Sequence, residues 1–76
     1  MSRKQDVHTV PSPWGRGWIN RVGGVWTGTV HRTQRKARLV GREVARRNES
    51  EHAIHRKDGT IGEKNSYGPD AFPPRG

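Results

Sequence analysis

The sequence predicts an α+β domain, a small antiparallel sheet with one helix packed on one face, in the order β-β-β-α-β-β. Three stretches carry this. GWINRVGGVWTGTVHR (17–32) alternates around Gly23-Gly24, a pair that supplies the positive φ angles of a two-residue hairpin turn. TQRKARLVGREVARRN (33–48) repeats small and apolar residues at helical steps. EHAIHRKDGTIGEK (51–64) flanks an Asp58-Gly59 turn as a second hairpin.

The first strand is expected over Asp6–Val10, DVHTV, a short β-prone run. Pro11 and Pro13 end it, because proline has no ladder donor. In the first hairpin Val22 is expected opposite Val25, Asn20 opposite Thr27 and Trp18 opposite Thr29. Ile19, Trp26 and Val30 then share the other surface. Thr33 is the expected N-cap of the helix. Ala37, Val40, Gly41, Val44 and Ala45 form its thin apolar stripe, with Leu39 at the margin. Gly41 costs the helix about 1 kcal/mol relative to alanine, which points to close contact with the sheet. Asn48 marks the stop, after Arg46 and Arg47 at the negative end of the helix dipole.

Residues 1–5 are expected to be disordered, 6–64 to form the domain, and 65–76 to be a Pro/Gly-rich tail docked on it. Tyr67 and Phe72 are the tail's expected anchors, and its prolines lower the entropic cost of docking. The rival reading of this tail is a Pro-rich ligand for another protein's groove.

Composition sets the limits. At 76 residues, 28% apolar and 29% charged, the chain has only a marginal core, and disorder is the competing reading. Three tryptophans argue for order, with Trp18 and Trp26 expected in the core and Trp14 left open. With no cysteine there is no disulfide, thiolate metal site or cysteine nucleophile. The N-terminal MSRKQDVHTV lacks an apolar segment, so no secretory signal is expected and the protein is placed in the cytoplasm.

GW opening a strand, TQ starting a helix with Ala37 four residues after Thr33, and the run IHRKDGTIGEKNSYGPDAFPP resemble the DUF2188 family. Its members are small, mostly bacterial proteins of unknown function. The resemblance spans nearly the whole chain and is most specific from Ile54 to Pro74. It implies a compact single domain and brings no activity and no catalytic residues. Two features depart from the family pattern: Asn20 stands near a usually apolar position, and the helix is mainly basic rather than mixed.

Net charge is +8, unevenly placed. Residues 1–48 hold eleven Lys/Arg against two acids, and residues 49–76 hold four against five. Arg35, Arg38, Arg42 and Arg46 recur at three- and four-residue steps, forming one ridge suited to phosphates. The plainer reading is a solvated helix face. Trp14, near Arg16, is a candidate for stacking on bases. Four histidines are present, but His52 and His55 are three apart and fall on opposite faces of a strand, so no metal site is expected. No cofactor is expected. GRG and VGG lack a strand–loop–helix frame and the serines lack a His/Asp context, so no enzyme is expected. The leading expectation is a non-enzymatic binding domain that contacts DNA or RNA backbone through its basic helix. The alternatives are an interaction or inhibitor module for an acidic protein surface, and a charge that serves solubility alone.

Overall fold

In the computed structural model, which describes residues 5–68, the chain forms five strands and one helix. They are β1 (Val7–Pro11), β2 (Trp18–Val22), β3 (Val25–His31), α1 (Gln34–Asn48), β4 (Glu51–His55) and β5 (Ile61–Ser66). The order along the chain is the expected β-β-β-α-β-β, and α1 lies on one face of one sheet.

The sheet is mixed rather than antiparallel. Its strand order is β3-β2-β1-β4-β5, and the central pair, β1 and β4, is parallel. Two hairpins place β3 parallel in direction to β1. The 15-residue helix then carries the chain back along the sheet by about 22 Å. So β4 starts at the same end as β1 and runs beside it, as a helical crossover requires. A contact between strands so distant in sequence leaves no turn signal to read.

The first hairpin turns at Gly23 (φ +60°) and Gly24 (φ +86°), with Val22 opposite Val25 as expected. Beyond Arg21–Trp26 the expected register fails. Ile19 pairs with Val30 and Trp18 with His31, so Asn20 faces a bulge of Thr27, Gly28 and Thr29. Gly28 accommodates the bulge at φ +100°, and the Trp26 indole Nε1 closes it by donating to the Thr29 carbonyl at 3.1 Å. The first strand includes Pro11, which pairs with Trp18 at the strand's last position.

Thr33 caps α1, its hydroxyl accepting from the Lys36 amide at 3.1 Å. Asn48 is the last helical residue, but Glu49 takes the left-handed cap position at φ 55°. Ala37, Gly41 and Ala45 are buried and Val44 is half-buried. Val40, expected on the stripe, is 46% exposed. The cause is width: only Ala37, Gly41 and Ala45 are fully buried against the sheet, so the buried strip is narrow.

At the centre of what the helix covers lies a polar trio. Registers place Val7, Thr9, Asn20, Trp18, His52 and Ile54 on the helix side. Thr9, Asn20 and His52 are fully or almost fully buried and mutually hydrogen-bonded. The Asn20 amide donates to the Ala37 carbonyl at 2.9 Å, so its oxygen faces Thr9. The Thr9 hydroxyl donates to that oxygen at 2.6 Å. Thr9 Oγ1 therefore accepts, at 2.7 Å, from His52 Nε2, which fixes the imidazole tautomer. Thr9 is thus the middle member of a buried polar trio, and Asn20 ties that trio to the helix.

The second hairpin turns through Asp58-Gly59, where the Asp58 carboxylate accepts from the Thr60 amide and hydroxyl at 3.0 and 2.7 Å. The β5 strand continues past Lys64, pairing Asn65 with His52 and Ser66 with Glu51. The Tyr67 amide then donates to the Ser50 carbonyl at 3.0 Å. The expected disorder of the first residues and the docking of the tail through Phe72 and the prolines fall outside the described residues. A chain truncated after Lys64 loses the end of β5 and the Tyr67 tether. Its melting temperature should fall by at least about 8 °C, the equivalent of roughly 1–2 kcal/mol in a domain of this size. An unchanged melting temperature would show that this end contributes nothing.

Candidate nucleic-acid interface

The ridge begins with the helix's registration on the sheet. With Ala37, Gly41 and Ala45 facing down, Arg35, Arg42 and Arg46 are exposed and Arg38 is half-buried at the margin. Arg38 leans toward β5, where its Nη2 lies 3.1 Å from both oxygens of Glu63. Arg46 lies 3.7 Å from Glu43, one turn earlier. Both pairs are solvent-exposed and contribute little to stability. Among the described residues Arg35 and Arg42 make no ion pair. The four predicted arginines therefore stand on one element, but only two have no carboxylate beside them.

Next to the ridge a cleft of about 210 Å3 separates α1 from β5. Arg38, Arg42, His52, Ile54, Glu63, Asn65 and Tyr67 line it. The Asn65 amide donates to Glu63 at 3.1 Å. That bond, together with the Arg38 charge, holds the Glu63 carboxyl below its usual range. Burial first, and then the Arg38 charge, lowers His52 to about 4. Its imidazole is neutral at physiological pH and its Nε2 proton is committed to Thr9, so here histidine serves as a structural donor.

The other side of the sheet carries a second group. Cross-strand pairs run Trp26–Arg21–His8–Ala53–Lys64, a single row over all five strands. Trp26, expected in the core, is 41% exposed and meets Trp14, 58% exposed, with ring centroids 4.8 Å apart. The reason is position: β3 is an edge strand, and Trp26 lies on its face away from α1. Trp18 is half-buried on the helix side. Alternation had placed Trp26 on the same surface as Ile19, which is fully buried, so the pattern carried no signal for its exposure.

His52 and His55 do lie on opposite faces. His55 instead meets His8, Nε2 to Nδ1, at 3.0 Å. His55 Nδ1 lies 2.8 Å from the Gly59 carbonyl, which only accepts, so His55 donates there and His8 Nδ1 donates to His55. Burial, followed by the neighbouring His55, lowers the pKa of His8.

These features define a small basic α+β domain with one arginine-bearing helix on a five-stranded mixed sheet. The chain belongs to the DUF2188 family, described as an uncharacterized protein conserved in bacteria, whose family model matches residues 7–67. No curated protein and no solved structure matches it. Among the described residues no helix is long and apolar enough to cross a membrane.

Proposed function

We propose that this domain is a non-enzymatic binding module that contacts nucleic-acid backbone through α1. The observation that carries the reading is the pair Arg35 and Arg42, without an ion pair among the described residues and seven residues apart on the exposed side of the helix. Ordinary surface helices place acids at i,i+4 to such bases. On α1 the acid is Glu43, and it faces Arg46. Two turns separate Arg35 from Arg42, about 10 Å along the axis, a spacing that lets both reach phosphates of one backbone. A cytoplasmic setting and DNA or RNA as partner belong to this reading. The rival occupant of the ridge is an acidic protein surface.

Binding to mixed-sequence DNA or RNA should weaken steeply with salt, because each neutralised phosphate releases counterions. Arg35→Glu with Arg42→Glu should lower affinity at least about tenfold and reduce the log–log salt slope by roughly two, while the circular dichroism melt stays in place. The variant spares Arg38, so the Glu63 contact remains. Unchanged affinity would remove α1 as the contact surface. If wild-type protein failed to bind at low salt, the acidic-protein reading would take precedence.

A further inference from the structure

We infer that the outer face of the sheet is a stacking platform for unpaired bases, centred on Trp14 and Trp26, so that single-stranded nucleic acid is the ligand of that face. The inference goes beyond the helix reading and rests on different residues, across the sheet from α1. A domain with a core this small gains most by burying its large rings, yet two of its three tryptophans stand in solvent. Their planes are inclined at 53°, so neither ring covers the other face to face and ring surface stays open to a flat ligand. The Nε1 of Trp26 is committed to the Thr29 carbonyl across the Gly28 bulge. That bond fixes the indole before any ligand arrives and leaves a π face rather than a hydrogen-bond donor. Such a surface accepts every base.

The charges around the rings select the ligand. Arg21 is the direct cross-strand neighbour of Trp26, and Arg16 lies two residues beyond Trp14. Neither makes an ion pair among the described residues. With strands about 4.8 Å apart, the row from Trp26 to Lys64 spans roughly 19 Å, enough for a few extended nucleotides. Aromatic rings beside unpaired cations match bases beside phosphates. In a duplex the base faces are already stacked and out of reach, so the platform discriminates against double strands.

The test titrates the full chain with a short oligothymidylate and with a duplex of equal length, at low salt, reading tryptophan fluorescence and oligonucleotide anisotropy. The single strand should quench the fluorescence and bind roughly tenfold tighter than the duplex. Trp14→Ala, in an exposed loop, should weaken single-strand binding roughly 10- to 100-fold and leave duplex binding unchanged. Trp26→Phe, which keeps an aromatic ring at that position, should retain most of the affinity. Arg35→Glu with Arg42→Glu should leave the quenching intact. No quenching, or a Trp14→Ala chain with wild-type affinity, overturns the platform. Quenching lost only in the arginine variant would place the strand on α1, overturning the platform while the proposed function stands. A second copy of the chain on the rings would appear as a dimer in sedimentation without quenching, and would also overturn it.

Discussion

A chain carrying Gly41→Ala should melt at least about 10 °C below the wild type, although alanine is the better helix former by about 1 kcal/mol. A Cβ at position 41 would lie 2.6 Å from Asn20 Oδ1, 2.8 Å from His52 Nε2 and 2.9 Å from Thr9 Oγ1. These are the atoms of the buried polar chain, and none is the end of a long flexible side chain. Either the helix lifts off the sheet or the chain of hydrogen bonds breaks. Overpacking costs about 1–3 kcal/mol, and each buried polar group left unpaired costs a similar amount. The helix gain is smaller than either. A stability near 0.1 kcal/mol per residue leaves little to absorb this loss. A thermal melt decides the matter: Gly41→Ala as stable as wild type would mean that the helix does not rest on these three side chains. Converting Thr9 and Asn20 to valine and His52 to leucine in the wild-type background should be far milder, because the polar groups leave together.

The second large effect is loss of stability in mild acid. His52 titrates near 4 in the folded protein, against an ordinary 6.5. The unfolded chain therefore takes up a proton below about pH 6.5 that the folded chain refuses until about pH 4. Stability from this group is complete above pH 6.5 and is lost as pH falls through that window. The loss is about 2 kcal/mol by pH 5 and about 3 kcal/mol in all. His8, also lowered, acts in the same direction. The exposed carboxylates Asp58 and Glu63 are lowered from 3.8 and 4.5, so most of their contribution comes below the histidine window. Denaturant midpoints should fall between about pH 7 and pH 5, and the His52→Leu chain should show a much flatter profile. A wild-type midpoint constant over that range would mean that His52 is not buried as a neutral donor.

The two effects have one source. This domain lacks the apolar mass to fill the space beneath α1, so a hydrogen-bonded trio occupies it, and a glycine brings the helix down close enough to cover it. The small residues that make this contact also leave the arginines outside. The exposed charge on α1 and the polar interior are consequences of the same narrow helix–sheet seam.

The order of elements, the Gly23-Gly24 and Asp58-Gly59 turns, the Thr33 cap and the arginine ridge were all legible in the chain. Each depends on residues within about four positions of one another, where backbone preference and side-chain period act directly. Trp14, left open by the sequence, was placed at the surface only by the fold. Other features come from contacts across the fold. Thr9 is 11 residues from Asn20 and 43 from His52, and no local pattern records that the three meet. The parallel pairing of β1 with β4, the Gly28 bulge, the meeting of Trp26 with Trp14, and the pairing of Arg38 with Glu63 are of the same kind. They arise when separate elements compete for one small space, and that competition is decided by packing in three dimensions rather than by the preferences of neighbouring residues.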